Sequence, residues 1–300
     1  MKTKILIPVL LAIVFFACNS KLDKTSSLLK AQMYFEQKEY KKSVVLLNKL
    51  IKQYPDFDSA YVERGIAKSY LYPNQNELAI LDYSKAIDIN FNNLVAFFNR
   101  AIAYAEIEDY KVAIKDYSHI IKLGQSEHYC NALFERALLF DYMEQPDNAI
   151  SDMKSILVID STDCEVISGI GVLYYARKKD MEKGLEYLNK AINTCPERAD
   201  AYFKRGVFYD KFEEYEKALS DYNTAISLIP DSDIYYMYRG LLYSSIGQVD
   251  KAMNDLNYAI ELNPNNGLAY ENRGYIKELN LKDVKGAKKD FEKAKEIGIY

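Results

Sequence analysis

One pattern of apolar and polar positions recurs along the chain about every 34 residues. It is clearest in residues 199–232, where Tyr202 and Gly206 lie on one face of a first amphipathic helix. Ala218 and Tyr222 recur at helical spacing in a second amphipathic helix. The segment therefore predicts two helices joined by a short polar turn.

A proline ends this helix pair, and a second copy follows it directly. Pro230 lacks the N–H that a further helical turn would need. A pair this small cannot bury its apolar faces alone, so the copies must stack on one another. Aligned on the small residue of the first helix and the alanine of the second, the chain has eight units: 24–57, 58–93, 94–127, 130–163, 164–198, 199–232, 233–266 and 267–300.

This pattern resembles the tetratricopeptide repeat, and the resemblance covers essentially everything after residue 24. It implies an all-α fold, a right-handed superhelical solenoid of about eight helix-turn-helix units. The small residues lie where the two helices of a pair cross closely, and the aromatic residues fill the space between successive pairs.

Two further positions change together from repeat to repeat. The residue before the small residue of the first helix is Arg in six units, and the residue three after the second-helix alanine is Asp in the same six. Units one and five lack both, with Lys30 and Leu46 in one and Ile170 and Tyr187 in the other. Antiparallel helices put the two positions level, so we predict structural ion pairs within repeats; the alternative is an arginine array for phosphate or carboxylate. The predicted pairs are Arg64–Asp82, Arg100–Asp116, Arg136–Asp152, Arg205–Asp221, Arg239–Asp255 and Arg273–Asp290.

The N-terminus has the parts of a secretory signal. Lys2 and Lys4 precede an apolar run, residues 5–17, that is too short to span a bilayer and is followed by Cys18. The small residue before that cysteine resembles a bacterial lipobox. The resemblance implies cleavage before Cys18 and lipid on its new N-terminus; an ordinary signal peptide or an uncleaved anchor is the alternative.

The expected domains are then a signal peptide at 1–17, a tether at 18–23 and the repeats at 24–300. Asn19 is not the aspartate that retains lipoproteins in the inner membrane of enteric bacteria. By that resemblance we expect an exported protein, anchored by lipid to the outer membrane and facing the periplasm.

Composition excludes several classes of function. The net charge is −4 with both signs mixed along the chain, so we expect no nucleic-acid partner. Cys164 and Cys195 lie at helix ends that antiparallel packing brings together; a disulfide and two buried thiols both remain open. Cys130, His119 and His128 have no metal-site spacing, so we expect no metal and no cofactor.

No catalytic motif stands out, so we expect no enzyme. Tetratricopeptide proteins hold a partner's peptide or helix against their first helices. The matching positions are mainly apolar, which suits an amphipathic helix or an apolar segment and argues against a carboxylate ligand. The expected groove residues, flanked by Tyr142, Tyr175 and Tyr238, are Phe98, Ile102, Phe134, Leu138, Phe203, Val207, Met237 and Leu241. The alternative for each is packing against the neighbouring unit.

Together these features predict a non-catalytic scaffold lipoprotein that binds another protein of a bacterial envelope complex. One alternative is a structural lipoprotein that self-associates through its end repeats. The other is a peptide- or glycan-binding component of an uptake system. The sequence leaves the oligomeric state open.

Overall fold

The computed structural model describes residues 23–124 and 128–298, and these residues form sixteen α-helices in eight successive pairs, with no strand. Each repeat predicted from the sequence holds one pair. The pairs are α1 Lys24–Glu36 with α2 Tyr40–Gln53, α3 Asp58–Leu71 with α4 Asn76–Ile89, α5 Leu94–Glu106 with α6 Tyr110–Lys122, α7 Tyr129–Tyr142 with α8 Pro146–Ile159, α9 Cys164–Val172 with α10 Met181–Thr194, α11 Ala199–Lys211 with α12 Tyr215–Leu228, α13 Asp233–Ser245 with α14 Val249–Leu262, and α15 Gly267–Leu279 with α16 Val284–Ile297.

The chain divides into two compact units, Met1–Ile156 and Leu157–Tyr300. In the described part of the first unit, buried apolar side chains form a core that runs from Ala31 to Ala132. In the second unit, smaller clusters lie between successive helices; Ala218, Tyr222 and Leu242 form one of them. In both units the first helices of neighbouring repeats contact each other, as α3 does with α5 and α13 with α15.

Small residues let the two helices of a pair approach closely. A methyl group added at Gly65 would lie 2.5 Å from the ring of Tyr83, and one at Gly206 would lie 2.8 Å from Tyr222. Real Cβ atoms essentially never have contacts this short, so either the ring or the helix would have to shift. The marker glycine of the sequence pattern is therefore a packing requirement.

The turn inside most repeats ends the first helix with one residue in the left-handed conformation. The φ angle is 60° at Glu213 and 77° at Gly247. The next N–H along the chain returns to a carbonyl of the last helical turn, from Glu214 to Tyr209 in the first case. This bond satisfies a carbonyl that the helix end leaves unpaired, so the turn is fixed locally.

Repeat 5 differs from the others in two ways. Its first helix continues from Val172 into a π-helical segment, Leu173–Arg177, before the turn. Cys164 and Cys195 are joined by a disulfide, with 6.3 Å between their Cα atoms. Of the two states that the sequence left open, the structure has the bridge. It ties the start of α9 to the residue after α10.

The expected signal peptide, Cys18 and Asn19 lie outside the described residues. Of the sixteen helices that the structure describes, none combines the length and the apolarity that crossing a bilayer requires. Cys130 lies half-buried on α7.

Candidate protein-binding face

All six predicted arginine–aspartate pairs are present within their repeats. In each pair the guanidinium donates from Nε and Nη2 to the two oxygens of one carboxylate, as in Arg205–Asp221, where both distances are 2.8 Å. The six aspartates are buried. The remaining pairs are Arg64–Asp82, Arg100–Asp116, Arg136–Asp152, Arg239–Asp255 and Arg273–Asp290.

The third donor of each arginine reaches the preceding repeat, which the sequence analysis missed. Nη1 of Arg239 donates to Oδ1 of Asn223 at 2.7 Å, and Arg100 bonds the Ser84 hydroxyl at 3.1 Å. The acceptor always lies two residues after the aspartate position. The six acceptors are Asn48, Ser84, Ser118, Asn189, Asn223 and Asn257.

The signal for these acceptors was in the sequence. In repeat 4 the residue two after the aspartate is Lys154, and the following repeat has Ile170 instead of the arginine. In the last repeat the same position holds Glu292. We call the arginines, aspartates and acceptors the arginine ladder. Because each guanidinium bonds a carboxylate and lies over an aromatic ring, 5.4 Å away for Arg239 and Tyr236, its donors are directed into the protein. This geometry favours the structural interpretation over an anion-binding array.

The ion pairing shifts proton affinities in the expected direction. The hydrogen bond that Arg205 donates to Asp221 raises the pKa of Arg205, although partial burial opposes the charge. Burial works against the charged form of Asp290 too, but hydrogen bonds from Arg273 and Lys277 outweigh it and lower the pKa of that carboxyl.

Two of the eight expected groove residues belong to the core, and their assignment to a partner surface is wrong. Phe98 is 1% exposed and lies 5.4 Å from the ring of Tyr117. Met237 is 4% exposed within a hydrophobic cluster of unit two. Tyr175, expected to flank the groove, is also buried, against Phe208.

Five of the other six expected groove residues are half-buried. Phe203 lies 5.0 Å from Tyr235 and 5.0 Å from Tyr238 on the next first helix. This position therefore packs between repeats, as the alternative interpretation held. Phe134, Ile102, Val207, Leu241 and Tyr238 are each half-buried on a first helix.

Exposure increases one helical turn further along. Four residues advance a helix by about 400°, so each such step rotates a side chain by about 40° away from the repeat interface. Leu138 is 44% exposed, and Tyr142, four residues later, is 65% exposed, with its ring centroid 4.8 Å from that of Tyr110. In unit one, Tyr70 on α3 occupies the same repeat position as Tyr142, and Ile102 on α5 the same position as Leu138.

Unit two has a corresponding surface on its last two first helices. Ile234 and Leu268 occupy one register on α13 and α15, and both are exposed. Leu241 is half-buried, whereas Tyr275 and Leu279 on α15 are exposed. We refer to these two sets, one in each unit, as the first-helix faces. They offer apolar contact area that the helices themselves do not bury.

Unit one also carries a buried carboxyl beside its first-helix face. Glu63 on α3 is 5% exposed and accepts a 2.6 Å hydrogen bond from Nε2 of Gln32 on α1. Burial raises the pKa of Glu63; the Gln32 bond opposes that rise, and the charge of Glu36 adds to it.

The two histidines take part in packing. His119 stacks on Phe97 with 4.1 Å between ring centroids, and His128 is buried near Phe98. Within 23–124 and 128–298, no three side chains of His, Cys, Asp or Glu gather in a way that would hold a metal ion.

Three segments of the chain match profiles described as Tetratricopeptide repeat: residues 26–56, 199–232 and 234–266. Each of these three segments is similar to a tetratricopeptide repeat. In the structure these three segments form the helix pairs α1–α2, α11–α12 and α13–α14.

Curated relatives match this chain over part of their length. Tetratricopeptide repeat protein 6 of Homo sapiens is 25% identical over 203 residues, 63% of this chain and 39% of that protein. Anaphase-promoting complex subunit 3 of Schizosaccharomyces pombe is 25% identical over 51% of this chain and 23% of its own length. Protein O-mannosyl-transferase TMTC3 of Homo sapiens is 26% identical over 55% of this chain and 18% of that protein. The chain thus spans less than half the length of these relatives.

Solved structures show the same fold. A tetratricopeptide repeat protein from Parabacteroides merdae has a TM-score of 0.67 at 16% identity, covering 91% of this chain and 98% of that chain. Yeast Tom70 has a TM-score of 0.72 at 16% identity, covering 96% and 63%. At this identity the likeness shows the fold alone, an all-α solenoid of tetratricopeptide helix pairs.

Proposed function

We propose that this chain is a non-catalytic scaffold, anchored by lipid on Cys18 to a bacterial envelope membrane, that binds another protein on a first-helix face. The observation that carries the proposal is the exposed apolar surface of Leu138 and Tyr142. An amphipathic helix or extended apolar segment from a partner would bury these side chains as an i, i+4 pair.

The comparisons support a protein partner. One relative is named as a subunit of the anaphase-promoting complex, an assembly of several proteins. Another is named as a mannosyl-transferase, but the match covers 18% of that protein. The scaffold role needs no catalytic group from this chain, and in the proposal the partner's identity determines the pathway.

The test compares two matched variants of the full-length chain during co-purification from gently solubilised membranes. Leu138→Asp/Tyr142→Asp places charges on the first-helix face of unit one. In the second-helix variant, Leu81→Asp/Leu123→Asp, the same charges lie on α4 and at the C-terminal end of α6, where these leucines are 66% and 51% exposed.

We expect wild type and the second-helix variant to retain a partner that the first-helix variant loses, by about tenfold or more in bound amount. Both variants must first show the helical content and melting temperature of wild type. Equal recovery of the partner with both variants would contradict binding on this face. Equal loss with both would indicate a general solubility effect and would also contradict it.

A further inference from the structure

A broad open cavity of about 750 Å³ is lined by residues of repeat 1 and by Leu71 of α3. Its apolar lining includes Tyr34, Val45, Leu46 and Leu71. Five lysines also line it: Lys30, Lys38, Lys41, Lys42 and Lys49. We call these five the lysine cluster.

The lysine cluster has little internal compensation. Lys42 pairs with Glu39 at 2.7 Å. Lys38, Lys41 and Lys49 are exposed, and the described part of the chain gives none of them an acidic partner. Repeat 1, residues 24–57, holds seven lysines and three acidic residues in a chain whose net charge is −4. Positive charge is therefore concentrated at the first repeat.

The ladder explains why one of these lysines, Lys30, is uncompensated. Lys30 occupies the position of the ladder arginine, and Leu46 occupies that of its aspartate. With no carboxylate opposite it, the Lys30 ammonium lies over the ring of Tyr34, 5.9 Å from its centroid, and Lys42 lies 5.8 Å from the same ring. Two cations thus share one aromatic ring, and the Lys30 ammonium leaves its donors for an external anion.

We propose that the lysine cluster binds anionic phospholipid headgroups of the membrane to which the chain is anchored. The inference rests on the proposed lipid at Cys18. Lys24 at the start of α1 lies six positions after Cys18, and six extended residue steps span at most about 20 Å. A lipid on Cys18 would therefore keep repeat 1 close to the headgroups, where each lysine gains attraction to a negatively charged surface. An acidic protein segment has no comparable reason to be near this surface.

The experiment measures vesicle binding by the unlipidated chain from Asn19 to Tyr300, which contains every helix that the structure describes. Circular dichroism first checks its helical content and melting temperature. Vesicles of pure phosphatidylcholine are compared with vesicles that hold roughly 30% phosphatidylglycerol, a content high enough to give a negative surface. Binding is followed by co-sedimentation at about 50 mM and about 500 mM NaCl, because salt screens exposed charges.

The test variant is Lys38→Glu/Lys41→Glu/Lys49→Glu. The matched control is Lys285→Glu/Lys289→Glu/Lys295→Glu, three exposed lysines of α16 with the same total change of charge. We expect wild type and control to bind the anionic vesicles at low salt and to be released at high salt. The test variant should lose about 100-fold or more in partition coefficient.

Three results would overturn the inference. The first is that wild type does not bind the anionic vesicles. The second is that both variants lose binding equally, which would make net charge the cause. The third is that polyglutamate protects the cluster lysines from acetylation and anionic vesicles do not, which would assign the cluster to an acidic protein. Fractionation of a Cys18→Ser variant tests the anchor separately. If the chain binds anionic vesicles but fractionation shows no lipid anchor, only the proposed lipidation is refuted.

Discussion

At the residue scale, the arginine of each ladder position links three helices. Arg239 bonds Asp255 across its own repeat and Asn223 in the repeat before it. The first bond holds the helix pair together, and the second fixes how neighbouring pairs stack. Because stability of repeat proteins depends on both terms, one residue type contributes to each.

Removing the arginine should cost more than removing its acceptor. We expect Arg239→Met to destabilise the fold by about 3–5 kcal/mol, because it leaves the buried Asp255 carboxylate unpaired. Asn223→Ala removes one exposed hydrogen bond and should cost about 0.5–1.5 kcal/mol. Urea unfolding followed by circular dichroism measures both values.

Two further variants make the comparison specific. Arg239→Met/Asp255→Leu removes the stranded charge and should recover most of the loss. Arg198→Met is the exposed control, because Arg198 lies 3.6 Å from Glu165 at the surface, and its cost should stay within about 1 kcal/mol. A loss for Arg239→Met no larger than that for Arg198→Met would disprove the structural role.

The buried carboxyl of Glu63 predicts a pH dependence. Its pKa is raised in the folded state, so the folded state prefers the protonated form, and stability falls as pH rises from the ordinary glutamate range through the raised pKa. Glu63→Gln keeps an acceptor for Gln32 and removes this charge. We expect the variant to be more stable than wild type at pH 7, by about 1 kcal/mol or more.

The difference between the two proteins should shrink as pH falls below the ordinary glutamate pKa, where both side chains are neutral. Urea unfolding at several pH values measures it, with the exposed Glu216→Gln as control. A pH-independent difference would show that the raised pKa of Glu63 is not its source.

At the element scale, repeat 5 replaces the ladder pair with other constraints. Ile170 and Tyr187 stand at the positions of arginine and aspartate. The repeat spans 35 residues, 164–198, and its first helix includes the π-helical segment Leu173–Arg177. A π segment holds more residues per turn, so it accommodates the extra residue without lengthening the turn. The disulfide then holds the outer ends of the pair together.

We expect Cys164→Ala/Cys195→Ala to destabilise the chain by about 2–4 kcal/mol, since the bridge closes a long loop and restricts the unfolded state. We expect backbone hydrogen exchange to be faster in the double variant than in wild type, mainly in α9 and α10. Reductant should lower the melting temperature of wild type and leave that of the variant unchanged.

Cys130→Ala is the control for this experiment and should leave exchange in repeat 5 unaltered. If the double variant instead matches wild type in melting temperature and exchange, the bridge does not stabilise repeat 5.

At the scale of the whole molecule, the lysine cluster and the first-helix faces consist of different residues. Positive charge gathers on repeat 1, while the first-helix faces include exposed apolar side chains of α7 in unit one and of α13 and α15 in unit two. In the proposal, the first surface meets the membrane and the first-helix faces meet a partner. The two interactions therefore require different residues and can be removed independently.

The lipid anchor has its own prediction. In the native host, the mature full-length protein should begin at Cys18 and carry the mass of a lipid on that residue, and the protein should fractionate with membranes. Cys18→Ser should abolish both properties, and Cys130→Ser should change neither. Intact mass spectrometry makes the measurement; an unlipidated wild-type N-terminus at another residue would rule out the anchor.

The sequence by itself determined the repeat, its helix pairs and the arginine–aspartate partners. These features depend on local spacing and on positions that change together between copies, such as Arg239 with Asp255 against Ile170 with Tyr187. The acceptor Asn223 can be found from the sequence in the same way, because the residue two after the aspartate position changes together with the arginine of the following repeat.

Only the tertiary structure decided which apolar side chains remain exposed and whether the cysteines pair. Ile102 and Leu138 occupy the same position in successive repeats, yet Ile102 is half-buried and Leu138 is exposed, because burial depends on what the neighbouring helix places opposite each side chain. Cys164 and Cys195 are 31 positions apart, and only the packing of α9 against α10 brings them within bonding distance. Spacing along the chain fixes which face of a helix a residue occupies; contacts across the fold fix what covers that face.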